Sequence, residues 1–263
     1  MAPQDPVLLL HGMGCGPWVW SEVSPLLGVA AMPVHLAGHR GGVPLDPRSG
    51  LPAAEQMVDE LERRLDRAGV DRAHVVGNSL GGWLALRLAE RGRARSVLCL
   101  APAGGWLAGG RDEKRLVARF VLGRQVARRV VRVPGVLQSA AVRRAVMHPV
   151  VSRPEAATRP TTYRFVRDLA QCQALDVAVG DPGTRRMRPI ESIDVPTRIV
   201  WSGGDRVLTG HWAQQGYDAL PATVETLPGV GHLPMLDDPA AIAALIRRQI
   251  GSDAVPCDRR TAD

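Results

Sequence analysis

The chain has 263 residues, 45% hydrophobic and 22% charged, a length that suits one α/β domain burying roughly three quarters of its unfolded surface. A mean hydropathy of −0.04, with no apolar run near the ~20 residues a membrane helix needs, argues against a membrane-spanning protein. The formal net charge of +7 invites a nucleic-acid partner, yet aromatics are only 4% and no stacking motif accompanies the basic residues, so nucleic acid is excluded as the expected partner.

The first residues hold no basic stretch followed by an apolar one, so no secretory leader is expected and the cytoplasm is the expected location. Val7-Leu8-Leu9-Leu10 is a continuous apolar run of strand length, the pattern of a strand buried on both faces of a parallel sheet. It ends in His11-Gly12-Met13-Gly14-Cys15-Gly16-Pro17, a loop too rich in Gly for regular structure. Such a loop can turn a backbone N–H toward a ligand. Pro33-Val34-His35-Leu36 predicts a second short strand. Glu55 to Ala68 predicts a helix, with Met57, Leu61, Leu65 and Ala68 on one face and Gly69 as its stop. A strand over His74-Val75-Val76, a helix from Trp83 to Glu90 and a strand over Ser96–Ala101 follow. Strands alternating with helices at this spacing predict a doubly wound, mostly parallel sheet, whose ligands gather outside the carboxyl ends of the strands.

From Pro102 the rhythm breaks. Leu116, Val117, Phe120, Val121, Ala127, Val130 and Val131 keep helical spacing with arginines between them, and Tyr163 to Leu169 predicts a further helix. Residues 103–190 carry 17 Lys+Arg against 6 Asp+Glu, whereas the rest of the chain carries 16 against 20, so the basic excess belongs to this segment. Lys114 is the only lysine in the chain; the charge therefore reflects arginine bias as much as function. Arg198 to Trp201 resumes the sheet, Thr223 to Leu227 is its last strand, and a closing helix runs from Pro239 to about Ile250. The expected organisation is an α/β core of residues 1–102 and 191–251, a helical, Arg-rich lid at 103–190 and a frayed tail at 252–263. The cysteines at 15, 99, 172 and 257 form no Cys-x-x-Cys pair, which argues against a zinc site or a disulfide scaffold. Cys99 reads as a core residue, and Cys15 could instead line an active site.

Val75-Val76-Gly77-Asn78-Ser79-Leu80-Gly81-Gly82 is the stretch around which these elements are arranged. A Gly-x-Ser-x-Gly between strand and helix places the serine on a turn so tight that flanking side chains would collide, which Gly77 and Gly81 avoid. The hydroxyl is then held above the amino terminus of a helix, whose free N–H groups and dipole favour a developing anion. The pentapeptide alone is a weak signal, because Gly-rich turns are common packing devices. A serine also needs a base and an orienting carboxylate. His232, in the Gly-flanked loop Pro228-Gly229-Val230-Gly231-His232 after the last strand, is the base candidate. Asp205, in Gly203-Gly204-Asp205 just past a strand, is the carboxylate candidate, although Asp after Gly-Gly is often only a turn former. Asp237 and Asp238 read as caps of the helix beginning at Pro239.

These motifs, with His11-Gly12, resemble those of the α/β-hydrolase superfamily over nearly the whole chain. The resemblance implies that Ser79 attacks, His232 relays its proton, Asp205 holds the imidazole, and the backbone N–H groups of Met13 and Leu80 form the oxyanion hole. It implies a lid inserted after the strand that the family counts sixth, and no metal or organic cofactor. Two departures stand out. Only six residues precede Val7, so the first edge hairpin of the family is expected to be absent. The nucleophile position holds Ser rather than Asp, which speaks against the haloalkane dehalogenase and epoxide hydrolase branches.

The leading expectation is a carboxylic ester hydrolase acting on a small to medium, partly apolar substrate, with Cys15, Trp106 and Phe165 as pocket residues; Trp106 and Phe165 serve equally well as core. The Gly-Asn-Ser-x-Gly-Gly form also resembles carbon-carbon hydrolases of vinylogous diketones. A thioesterase or cyclase of secondary metabolism is a third reading, in which the Arg-rich lid would meet an anionic substrate. A non-enzymatic ligand binder that keeps the fold is the reading from another class.

Overall fold

A computed structural model describes residues 5–106, 108–180 and 187–251. Its strands are Val7–Leu10 (β1), Ala31–Pro33 (β2), Ala73–Asn78 (β3), Ala94–Leu100 (β4), Thr197–Ser202 (β5) and Thr223–Leu227 (β6). They form one six-stranded sheet in the order β2-β1-β3-β4-β5-β6, and every described pair is parallel. All four residues of β1 are 1% exposed or less, because a central parallel strand is covered on both faces and carries apolar side chains at every position. Leu10 pairs with Gly77 and Leu100 with Asn78. The carboxyl ends of β1, β3 and β4 are thereby brought side by side.

The second strand departs from the expectation of Pro33–Leu36. It spans Ala31–Pro33 and pairs with β1 only as far as Leu9 opposite Pro33. Two features stop it there: Pro33 has no N–H to offer a ladder, and the Leu36 N–H donates to His11 Nε2 at 3.3 Å instead of to a strand.

Helix Ala53–Arg67 (α1) buries Met57, Val58, Leu61 and Leu65, the spacing of a stripe facing the core. It stops at Gly69, whose φ of +66° suits a residue without a side chain, while Val70 N–H closes back onto Leu65 O at 2.9 Å. Helix Leu80–Glu90 (α2) is buried at every position except Glu90 and packs against α1, β3 and β4. A helix so enclosed can carry a cation only if it is paired. Arg87, 9% exposed, bonds Glu90 and lies 3.2 Å from Glu55.

Between β4 and β5 stand Arg111–Val130 (α3), Ala140–Met147 (α4), Arg159–Ala170 (α5) and Gln173–Gly180 (α6), with α3 packed on α5. Many of their arginines bind the segment to itself. Arg124 pairs with Asp176 and reaches Ala170 O, and Arg143 donates to Leu137 O, Gln138 O and Ala157 O. Pro234–Asp237 (α7) and Pro239–Gly251 (α8) close the described chain, and the tail expected at 252–263, with Cys257, lies outside the described residues. No helix among the described residues is long and apolar enough to cross a membrane.

Candidate active site

The turn from β3 into α2 is set by contacts that exclude side chains. A Cβ on Gly77 would lie 2.0 Å from the Gly81 carbonyl oxygen, and one on Gly81 would lie 2.4 Å from Leu10 O. Ser79 between them adopts φ 55°, ψ −117°, a conformation that costs on the order of 1–3 kcal/mol for a residue with a side chain. The neighbours hold it there: Ser79 N–H donates to Leu100 O at 2.9 Å, and Ser79 O accepts from Gly82 N–H and Ala103 N–H at 2.9 Å each. Gly12 also lies close to the elbow, since a Cβ there would stand 3.2 Å from Ser79 Cβ, a tight contact.

His232 and Asp205 come to this turn from two loops at the carboxyl ends of β6 and β5. His232 Nδ1 lies 2.7 Å from Asp205 Oδ2, and both side chains are 5% exposed. A carboxylate can only accept, so Nδ1 carries the proton and Nε2 keeps the lone pair that a general base needs. Asp205 Oδ1 accepts from Val207 N–H at 2.7 Å and Leu208 N–H at 3.0 Å. Burial opposes the charge on Asp205, but the His232 ring and these N–H groups outweigh it and hold the carboxyl below its ordinary range. The third partner stays ionised at neutral pH.

Two residues to which the sequence reading gave no part in the site fix the histidine loop. Asn78, fully buried, donates through Nδ2 to His232 O at 2.9 Å and to Leu100 O at 3.1 Å, tying the loop to the nucleophile strand. Asp237 is not a cap of α8, contrary to expectation. Its carboxylate accepts from Gly231 N–H at 2.7 Å, Ser152 N–H at 2.9 Å and Arg153 N–H at 3.2 Å, while Asp238 alone caps α8 through Ala241 N–H at 2.9 Å. Leu233 N–H donates to Val150 O at 2.8 Å. The segment between β4 and β5 is thereby pinned to both sides of His232.

His11 is fully buried and structural. Its Nδ1 donates to Gly12 O at 2.9 Å while Nε2 accepts from Leu36 N–H; burial and then neighbouring His39 push its pKa well below the usual value and keep it neutral.

Ser79 and His232 share a cavity of about 40 Å³ with Met13, Cys15 and Phe165 on its walls. A second cavity of about 100 Å³ is bordered by Ser79, Met13, Leu80 and Trp106. Every site residue expected from the sequence thus lies on a cavity that reaches Ser79, apart from Asp205, which stands behind His232. Burial and the nearby Asp168 push the Cys15 thiol up, which disfavours its thiolate on this wall of the cavity. Trp106 packs against Trp212 with ring centroids 5.9 Å apart.

Comparison with known proteins shows the family and the fold. Residues 7–245 match the model of the alpha/beta hydrolase family. The chain is 34% identical over 204 residues to the protein named epoxide hydrolase EphH of Mycobacterium tuberculosis, covering 72% of this chain and 91% of that protein. Among solved structures, a thermophilic esterase from Thermogutta terrifontis superposes with a TM-score of 0.69 at 19% identity, over 94% of this chain and 90% of that one. The meta-cleavage product hydrolase CumD from Pseudomonas fluorescens does so with 0.70 at 18% identity, over 95% and 92%. The chain belongs to the alpha/beta hydrolase family.

Proposed function

We propose that the protein is a serine hydrolase that cleaves a carboxylic ester of a small-molecule substrate through an acyl-enzyme on Ser79. The observation that carries this reading is the 2.7 Å contact of Asp205 with His232 Nδ1 beside a serine held on a strained elbow in the same cavity. In the first step Ser79 Oγ bonds to the ester carbon, its proton passes to His232 Nε2, and the carbonyl oxygen becomes an anion facing the N–H groups of Leu80 and Met13. Leu80 opens α2, so its N–H has no partner within the helix and is free to donate. Collapse of the intermediate breaks the carbon–oxygen bond, and the proton on His232 goes to the departing alcohol oxygen. Water then repeats the sequence on the acyl-enzyme. One oxyanion donor is commonly worth about 3–4 kcal/mol of barrier. Helices α3 to α6 act as the lid over this site.

The relative named for epoxide hydrolysis supplies a second reading, which the chemistry of Ser79 disfavours. A serine that opened an epoxide would be left as an alkyl ether, with no carbonyl for water to attack, so the enzyme would not turn over. Epoxide hydrolysis here would need His232 to activate water directly. Carbon-carbon cleavage of a vinylogous diketone rests on the elbow sequence and on likeness of fold alone.

Turnover of p-nitrophenyl butyrate, styrene oxide and a vinylogous diketone by the wild type and by Ser79→Ala tests the reading. Ester turnover that falls at least 10³-fold in the variant is expected. Epoxide turnover that survives in Ser79→Ala, with no esterase activity in the wild type, would replace it with the second reading.

A further inference from the structure

Three cavities of unequal size share walls beside the candidate site, and Ser79 lines two of them. The small junction that holds Ser79 and His232, about 40 Å³, shares Met13 and Ser79 on one side with the cavity of about 100 Å³. On the other it shares Val150, Phe165 and Leu169 with a third cavity of about 350 Å³. Phe120 and Val207 border all three and form the partition. Leu80 lines the 100 Å³ chamber and not the junction, whereas His232 lines the junction and not that chamber.

This asymmetry gives each half of a substrate its place. In acyl transfer the carbonyl oxygen must face the Leu80 N–H, while the leaving oxygen must reach His232 Nε2 to be protonated. The leaving alcohol therefore lies on the His232 side and extends toward the 350 Å³ chamber. The acyl chain extends past Leu80 into the 100 Å³ chamber. The chamber on the Leu80 side is therefore the smaller of the two, and it suits the shorter half of an ester. The acyl chamber is enclosed by Ala53, Ala54, Met57, Leu175 and Leu208, all buried, and α1 closes its floor. Glu113 is the one charged side chain among its described lining residues, and its carboxylate accepts from Gly109 N–H. The alcohol chamber is lined by Leu122 and Val126, which are 61% and 44% exposed, so it opens to solvent. Arg119 is its one charged side chain among the described lining residues, and the Arg119 guanidinium is engaged with Arg206 O at 2.7 Å. The walls that a leaving group meets are apolar.

Resting on the serine esterase reading above, we propose that the substrate is an ester of a short, largely apolar acid with a larger apolar alcohol that occupies the α3–α5 chamber. The basic charge of the insertion takes no part in selecting it.

The test uses four esters with alkyl leaving groups of similar basicity, followed by proton release: methyl and 3-phenylpropyl butyrate, and methyl and 3-phenylpropyl octanoate. Expected is at least a tenfold higher kcat/KM for butyrate than for octanoate with either alcohol, and at least tenfold for 3-phenylpropyl over methyl with butyrate. Two variants assign the chambers. Val117 is half-buried and lines only the acyl chamber, and Gly123 lines only the alcohol chamber, where its Cβ would meet nothing nearer than Leu169 at 3.8 Å. Val117→Phe should raise the butyrate-over-octanoate preference at least threefold further, and Gly123→Phe should lower kcat/KM at least tenfold more for 3-phenylpropyl than for methyl butyrate. Octanoate handled as well as butyrate, or variants whose effects fall on the opposite half of the ester, would overturn the division while leaving the esterase reading intact. Turnover of none of the four esters by folded wild-type protein would overturn the esterase reading and the division with it.

Discussion

Replacing Asp237 by Asn keeps the shape of a buried side chain, 6% exposed, and changes only what its outer atoms can accept. The carboxylate receives three backbone N–H groups, from Gly231, Ser152 and Arg153, and joins the loop before His232 to the segment that follows α4. Hydrogen bonds to a charged acceptor contribute roughly 1.5–3 kcal/mol each. An amide retains one acceptor oxygen and turns an NH₂ toward at least one of these N–H groups, so a loss of about 3 kcal/mol is expected. In a domain of this size that lowers Tm by about 6–12 °C. Asp237→Ala leaves all three N–H groups without an acceptor and should lose about 5 kcal/mol. Asp238→Ala is the internal comparison: it removes one helix cap, worth about 1 kcal/mol. Urea denaturation of the three variants measures these differences directly. Because Gly231 precedes His232, Asp237→Asn should also lower kcat on the order of 10- to 100-fold, with KM little changed; Asp238→Ala should leave both as they are. An Asp237→Asn protein within 1 kcal/mol of wild type, or one no worse than Asp238→Ala, would refute the reasoning.

The elbow makes a sharper steric claim. Gly77→Ala must move the Gly81 carbonyl by about 1 Å to relieve a 2.0 Å approach, and a shift of that size at the nucleophile should lower kcat at least 100-fold. Gly92→Ala meets nothing within 4 Å but keeps a φ of +73°, so it should cost about 1 kcal/mol of stability and no activity; equal activity of the two variants would contradict the steric account. His11 governs stability in mild acid. Its folded pKa lies well below the ordinary value, so as pH falls below ~6.5 the unfolded chain takes up a proton that the folded protein refuses. Stability from this group is lost at up to ~1.4 kcal/mol per pH unit. Between about pH 6 and 5 the slope of stability against pH should be shallower in His11→Asn, and an unchanged slope would remove His11 as the cause. Asp205 acts lower on the scale, because a depressed folded pKa stabilises the fold above ~4 and loses that contribution only as pH falls through the folded value.

What the sequence makes legible here is what neighbouring residues decide among themselves. The β1 run is apolar at each of four positions because the strand is covered on both faces. Gly77 and Gly81 announce the elbow because the collision they avoid is local. Loops that follow β5 and β6 bring Asp205 and His232 to the same place, since consecutive parallel strands end at the same edge of the sheet. Partners set by the fold leave no such trace. Asp237 sits two residues before a proline-started helix, where capping is the natural reading, and its actual partners between β4 and β5 lie 84 and 85 residues away. Leu36 has a strand-like side chain, but its N–H is taken by a histidine 25 residues earlier. The division of the cavities by Phe120 and Val207 likewise depends on how α3 settles over the sheet. Helical spacing in the sequence marks the face of α3 that is apolar, not what that face encloses.

The central claim is that Ser79 is the nucleophile and that His232, held by Asp205, makes it one. The most direct measurement is peptide-resolved mass spectrometry after exposure to a fluorophosphonate. A single phosphonyl adduct on Ser79 is expected, absent from Ser79→Ala and formed on the order of 10³-fold more slowly in Asp205→Asn. Folded wild-type protein that remains unlabelled, or an adduct on another residue with activity surviving in Ser79→Ala, would contradict the account.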